Sequence, residues 1–278
     1  MNIPDMLELP DFSLDDVEAD ARGNLYVSNS AQRNIIKLDC SSGAPKQIIS
    51  GTSGPAVTAD MSLKLAATPD SILYVADTAQ GLIARYDENG EFLGEFPSAG
   101  VLGLCHGADD VIYALSNDED IERINSYDQL GQIDTLPAPA RYRAHLDPVL
   151  VSLDSDADGN IYVSYGMPPY RLWKVKADGS EMEAWTRQID YPEDVILISD
   201  LAFDRNSGIL WVLLAHKEFG LQMLDAFTPD GEFLGSTGIP HSSNLYGAMC
   251  TCDSALYLLN TGTGPGAGDL TRVVVSSR

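Results

Sequence analysis

A short apolar segment centred on an aromatic residue recurs six times along the 278-residue chain. The copies are Leu25-Tyr26-Val27, Leu73-Tyr74-Val75, Ile112-Tyr113-Ala114, Ile161-Tyr162-Val163, Leu210-Trp211-Val212 and Leu256-Tyr257-Leu258. The intervals between the aromatics are 48, 39, 49, 49 and 46 residues. A recurrence of this length marks an array of small supersecondary units. One such unit cannot bury its own apolar face, whereas units set side by side bury each face against the next.

The residues between the aromatics show what a unit contains. Leu73 to Ala76 is β-rich and reads as a strand, as does Leu82-Ile83-Ala84-Arg85-Tyr86. Between that second strand and Glu91-Phe92-Leu93-Gly94-Glu95-Phe96 stands Asp87-Glu88-Asn89-Gly90, whose Asn-Gly pair predicts the positive φ angles of a tight hairpin. The fifth unit repeats this text as Pro229-Asp230-Gly231-Glu232-Phe233-Leu234-Gly235. A shorter apolar strand precedes each aromatic one. Each unit is therefore expected to hold four antiparallel strands, A to D from the centre outward. Six such units predict an all-β, six-bladed β-propeller, one domain over residues 1–278.

The ends of the chain suggest how the ring closes. The last unit supplies three strands, ending in Thr271-Arg272-Val273-Val274-Val275. Met6-Leu7-Glu8-Leu9-Pro10 resembles the close of a D strand, as in Gly94-Glu95-Phe96-Pro97 and Thr237-Gly238-Ile239-Pro240. The N-terminal strand Met6 to Leu9 is expected to pair with Thr271 to Val275 and close the last blade, the proline falling at the end of an outer strand.

Composition narrows the partners. The formal charge of −24 argues against nucleic acid and anionic membrane. The longest apolar stretch, Ile209 to Ala215, is far short of a membrane span. Met1-Asn2-Ile3-Pro4-Asp5 has neither a basic start nor an apolar run, so a cytoplasmic location is expected, although a trimmed secreted chain would read the same. The four cysteines suggest no disulfide framework. Cys250 and Cys252 share one side of one strand, too far apart for a bridge, and buried thiols are expected at all four positions, Cys40 and Cys105 included.

Asp20-Ala21-Arg22-Gly23-Asn24-Leu25-Tyr26-Val27 and Asp156-Ala157-Asp158-Gly159-Asn160-Ile161-Tyr162-Val163 resemble the NHL repeat, as does Leu73-Tyr74-Val75-Ala76-Asp77-Thr78. The likeness spans nearly the whole chain. The third and sixth units keep the turn without its Gly-Asn, at Gly107-Ala108-Asp109-Asp110 and Thr251-Cys252-Asp253-Ser254. The resemblance implies a six-bladed propeller of a kind that serves as interaction scaffold, lactonase or lyase, so it does not choose an activity. Gluconolactonase-like propellers also look similar in outline. That resemblance implies an acid, an Asn and an Asp as metal ligands on inner strands. The matching positions here are Asp15 or Asp16, Leu150, and Ser199 or Asp200, with leucine standing where the Asn belongs.

Up-and-down topology places the long, varied segments, the D-to-A crossings and B–C loops, on one face, where binding sites usually develop. His145, His216 and His241 fall there, with Asp16 and Asp200 near the starts of inner strands. Three imidazoles and a carboxylate suit a divalent metal such as zinc. Without metal, the histidines and Tyr142 suit acid–base catalysis. His106 is expected in the core. Arg141, Arg143, Lys217 and Arg171, with Tyr170 and Tyr246, suit a carboxylate or phosphate ligand through paired hydrogen bonds. Asp154-Ser155-Asp156-Ala157-Asp158-Gly159 matches half a calcium loop, but Tyr165 stands where its closing acid belongs. Two functions fit: a scaffold presenting this face to a peptide, protein or small anionic ligand, or a lyase or hydrolase, metal-assisted or not, at the mouth of the central channel.

Overall fold

The computed structural model describes residues 1–7, 12–50, 62–108, 110–118, 121–128, 131–137, 150–165, 171–176, 182–185, 196–216, 222–239, 246–262 and 267–274. These fall into two compact units, one of Met1–Val101 with Ser242–Arg278 and one of Leu102–His241.

The first unit begins with a short helix, α1 (Ile3–Leu7). Its first sheet runs β1 (Leu14–Ala19), β2 (Asn24–Asn29), β3 (Asn34–Asp39) and β4 (Pro45–Ser50). The second runs β5 (Leu63–Ala67), β6 (Leu73–Asp77), β7 (Leu82–Tyr86) and β8 (Phe92–Pro97). The second unit holds three more four-stranded sheets. They are β9 (Val101–His106) to β10 (Ile112–Asp118), β11 (Ile121–Asp128) and β12 (Gly131–Pro137); β13 (Leu150–Ser155) to β14 (Ile161–Tyr165), β15 (Arg171–Val175) and β16 (Met182–Trp185); and β17 (Ile196–Asp204) to β18 (Ile209–His216), β19 (Gln222–Phe227) and β20 (Phe233–Gly238). The sixth sheet returns to the first unit with β21 (Tyr246–Cys252), β22 (Ala255–Asn260) and β23 (Leu270–Val274). Among the described residues, five sheets thus have the expected four strands and the sixth has three, so five complete blades stand where six were expected.

The recurring aromatics are core residues. Tyr26, Tyr74, Tyr113, Tyr162, Trp211 and Tyr257 are all buried. The apolar clusters lie between consecutive sheets rather than within one. Val17, Val27 and Ile36 of the first sheet pack with Ala248, Cys250 and Tyr257 of the sixth. Leu115 of β10 packs with Leu153 and Val163, and Tyr162 and Leu172 pack with Leu201, Phe203 and Val212. Exposed apolar residues recur on outermost strands, with Phe92 and Leu93 in β8 and Phe233 and Leu234 in β20.

The NHL-like text encodes a turn circuit. The Asp20 carboxylate accepts hydrogen bonds from the amides of Arg22 and Asn24 at 2.9 Å, from Asn24 Nδ2 at 2.7 Å and from the Tyr26 hydroxyl at 2.9 Å. Asp156 repeats this with the amides of Asp158 and Asn160, Asn160 Nδ2 and the Tyr162 hydroxyl. Burial pushes the Asp20 carboxyl up, but the bonds from Asn24 outweigh it and leave the group below its ordinary value. Gly23 closes the turn at φ +77°. Where the Gly-Asn pair is lost, the backbone keeps the left-handed conformation on other residues, Asp110 in the third unit and Asp253 and Ser254 in the sixth. Asp and Asn bear that conformation at least cost among side-chain-bearing residues.

The Asn-Gly hairpin differs in detail from expectation. Only Gly90 has a positive φ. The Gly90 amide donates to the Asp87 carbonyl and the Asp87 amide to the Glu91 carbonyl, while the register of β7 against β8 shifts at Arg85/Tyr86. That is a type I turn closed by a left-handed glycine, which absorbs the extra residue as a bulge. A Cβ at Gly90 would stand 2.8 Å from Ile49, so the position has no room for a side chain.

The N-terminal closure also differs. Met6 and Leu7 lie in α1 rather than in a strand, and Leu9 lies outside the described residues. Asn2-Ile3-Pro4-Asp5 explains this. Proline in a first turn lacks only an amide that would be unsatisfied anyway, and the Asn2 carbonyl accepts the Met6 amide at 3.2 Å. The N-terminus nevertheless joins the sixth sheet. Met1 exchanges both backbone bonds with Leu270, at 2.7 and 3.0 Å, and the Ile3 amide donates to Gly268. Among the described residues, the pairing therefore falls at Met1–Ile3 and Gly268–Leu270, while Met6 and Leu7, expected in a strand, are helical.

Two of the four cysteines are bonded, against expectation. A disulfide joins Cys40, in the turn after β3, to Cys252 at the end of β21, with Cα atoms 6.5 Å apart and a sequence separation of 212. Cys105 and Cys250 are buried thiols. The spacing of the cysteines could not disclose the bridge, because its partners meet only when a turn of the first sheet packs against a turn of the last. Chain-entropy reasoning assigns so long a loop about 5 kcal/mol. Cys40→Ser is accordingly expected to lower unfolding stability by several kcal/mol, measured by urea unfolding under oxidising, metal-free conditions.

Candidate functional site

The first strands of four sheets, β1, β13, β17 and β21, share an irregularity. In β1, Leu14 faces Asn29 and Val17 faces Val27, so Asp15 and Asp16 share the space of one residue. Register shifts recur between Leu150 and Ser152 in β13, Ile198 and Asp200 in β17, and Tyr246 and Ala248 in β21. A bulge of this kind turns a side chain away from its strand's own face.

Side chains on these first strands meet the backbone of the following sheet in two places. Within the first unit, Asp16 Oδ2 accepts the Leu65 amide of β5 at 2.9 Å, and Asp16 Oδ1 accepts the amide of Val17 at 3.0 Å. Within the second, Asp154 Oδ2 accepts the Phe203 amide of β17 at 2.6 Å and Ser152 Oγ accepts that of Leu201 at 3.3 Å. Ser152 also donates to Asp200 Oδ1 at 2.5 Å, and Asp200 takes the Leu201 amide at 2.9 Å. These sheet-to-sheet amide bonds span 49 residues each, essentially the interval between the aromatics. A first strand pairs along one edge only, and acids and hydroxyls from the preceding sheet satisfy amides on the other.

Burial raises the Asp154 carboxyl to about 6, against the opposing pull of the Phe203 amide and the Arg205 charge. Burial likewise raises Asp16, opposed by Lys64 and the Leu65 amide, and raises Asp15. A buried carboxyl raised in this direction is the kind of group from which acid–base chemistry is built. His106 ends β9 as a buried residue. Its carbonyl accepts Arg205 Nη2 at 2.6 Å and the Ser155 hydroxyl, and Arg205 also bonds Ser155 Oγ at 3.1 Å.

The structure places few of the expected site residues. Asp16 lies in β1 and Asp200 in β17, one in each compact unit. Tyr246 opens β21 as a buried residue, its hydroxyl 2.8 Å from Thr271 Oγ1. Arg171 begins β15 and His216 ends β18, with their side chains outside the description. Arg141, Tyr142, Arg143, His145, Tyr170, Lys217 and His241 lie outside the described residues. The half calcium loop is the turn circuit described above: Asp156 serves its own turn, and Asp154 serves Phe203 and the Ser155 amide. Sequence reasoning missed Ser152 and the role of Asp154. The signal was present as phase, since Asp16 and Ser152 each stand ten residues before their tyrosine, and Glu18 and Asp154 each stand eight before.

No protein-family model matches the sequence, and no curated protein sequence does. Solved structures do. The chain is similar to a catalytically inactive virginiamycin B lyase from Staphylococcus aureus with quinupristin, at 13% identity and a TM-score of 0.66 over 99% of this chain and 87% of that one. It is similar to a streptogramin B lyase at 14% identity and a TM-score of 0.57 over 92% and 93% of the two chains. It is also similar to the WD40 repeats of RRP9, at 14% identity and a TM-score of 0.63 over 89% and 87%. These likenesses identify an all-β propeller fold and leave its activity open.

The raised Asp154 carboxyl has a consequence for stability. Its folded value of about 6 exceeds the ordinary 3.8, so the folded state holds a proton that the unfolded state has released. The contribution is full below pH 3.8 and is lost as pH rises through about 6, an effect of up to about 3 kcal/mol. Asp154→Asn keeps an acceptor for Phe203 and is expected to remove this slope between pH 4 and 7, leaving the variant more stable than the parent at neutral pH. Urea unfolding across that range measures it.

Proposed function

We propose that the chain is a binding propeller of the NHL type that takes a peptide, protein or small ligand bearing carboxylate or phosphate groups on the crossing-loop face. One observation carries the reading. The first-strand acids Asp16, Asp154 and Asp200, which an enzyme would need free for metal or proton transfer, are each engaged in hydrogen bonds that join one sheet to the next or hold a local turn. Chemistry for recognition is assigned to Arg141, Arg143, Tyr170, Arg171 and Lys217, whose guanidinium forks and ammonium suit anionic oxygens. On a chain of net charge −24, an anionic ligand needs local cationic groups to overcome the overall repulsion. Among the described residues, no helix is long and apolar enough to cross a membrane.

Fluorescence anisotropy of a labelled peptide carrying consecutive glutamates tests this reading. Saturable binding is expected, weakened about tenfold or more in an Arg141→Ala/Arg143→Ala variant, because charge-assisted pairs at a ligand site carry at least that much. Binding that is absent, or indifferent to both arginines, overturns it.

A second reading has its own observation, the Asp154 carboxyl poised near pH 6 on a first strand. Under it the chain is a lyase, acting as the similar virginiamycin B lyase does. Quinupristin incubated with the purified chain would then be consumed, with the rate falling in Asp154→Asn. Mass spectrometry follows the ligand, and an unchanged quinupristin pool removes this reading.

A further inference from the structure

We propose that Cys40, Cys252 and Asp253 form a site for a zinc-class cation that exists only while the disulfide is reduced. Each of the three offers one donor atom, and these atoms lie within 4.8 Å of one another. Among the described residues it is the one set of three or more Cys, His, Asp or Glu donors so gathered, and it contains neither Asp16 nor Asp200.

The surroundings suit an ion in that place. The two Cα atoms stand 6.5 Å apart, near the long end of the roughly 4.4–6.8 Å that a disulfide spans. Opening the bond lets the sulfurs separate to about 3.8 Å, the distance between two ligands bound tetrahedrally at about 2.3 Å. Both cysteines are buried, whereas Asp253 is exposed, so the ion has an entry from solvent and a fourth position for water. Asp253 is held by the hairpin between β21 and β22, in which it and Ser254 are both left-handed. Its carboxylate faces Gly23, whose missing side chain leaves the approach uncrowded. The Tyr257 hydroxyl donates to the Cys40 carbonyl and lies 3.4 Å from Cys40 Sγ, which fixes the turn that presents the thiol. Two thiolates and a carboxylate favour zinc over calcium or magnesium.

The chemistry is a two-electron exchange. A dithiol reductant delivers two electrons and two protons to the Cys40–Cys252 bond and is itself oxidised to its disulfide. The two thiols then release their protons as the cation binds. The cation takes over the task of the covalent bridge, tying the turn after β3 to the turn after β21. In reducing surroundings the first and sixth sheets would thus stay joined by a metal, and in oxidising surroundings by a bond.

Cobalt(II) tests the site, because thiolate ligation gives it a charge-transfer band that carboxylate ligation does not. The chain is reduced with a phosphine, freed of metal and titrated with cobalt(II), then with zinc(II). One cobalt per reduced chain with the thiolate band is expected, displaced by zinc, and no such binding by the oxidised chain. Cys252→Ser should abolish the band. Asp253→Asn leaves both cysteines in place and should weaken affinity about tenfold or more, with circular dichroism of its oxidised form confirming the fold. A reduced chain with no thiolate band overturns the proposal. So does a band that survives Cys252→Ser and disappears in Cys105→Ser or Cys250→Ser.

Discussion

A strand at the inner end of a sheet has one edge with no strand beside it, and its amides still need acceptors. In this protein the preceding sheet provides them, from Asp16 to Leu65, from Ser152 to Leu201 and from Asp154 to Phe203. The arrangement makes the second and fifth sheets depend on the sheets before them for hydrogen bonding as well as for burial. It also sets the electrostatics. A carboxylate drawn in to serve an amide loses water, and burial raises its pKa more than the amide lowers it. Architecture and proton chemistry therefore draw on the same residues, which is why one acid supports a structural reading and a catalytic one.

The periodic text of the chain transmitted the strands well. The β6 and β7 strands fall where Leu73 and Leu82 announce them, and the six aromatics are buried. The Asp20–Asn24–Tyr26 circuit was also legible, since every donor and acceptor in it lies within seven residues. What escaped was non-local. The Cys40–Cys252 bridge depends on two turns separated by 212 residues coming together, which no local spacing encodes. The Met1–Ile3 pairing escaped because the alternation of Met6 to Leu9 looked like a strand, while Asn2 and Pro4 favoured a helical turn. Of the histidines and arginines singled out for chemistry, Arg171 and His216 fall at strand ends, and the rest come from stretches of sequence with neither period nor alternation to constrain geometry.

The two departures meet in one place. Among the described residues the sixth sheet has three strands, and three short attachments join it to the first sheet and the N-terminus: the Met1–Leu270 pair, the mixed core of Val17 and Tyr257, and the Cys40–Cys252 link. None resembles the long strand pairing that alternation suggested, yet together they hold the first and sixth sheets against each other.

The covalent link also governs how the molecule would bear tension. A force applied to the two chain ends can draw out only the residues before Cys40 and after Cys252, because the 212-residue interval between them is a closed loop. Four complete sheets, from β5 to β20, sit inside that loop and are shielded from the load, so under traction the oxidised chain would lengthen from its first and sixth sheets alone.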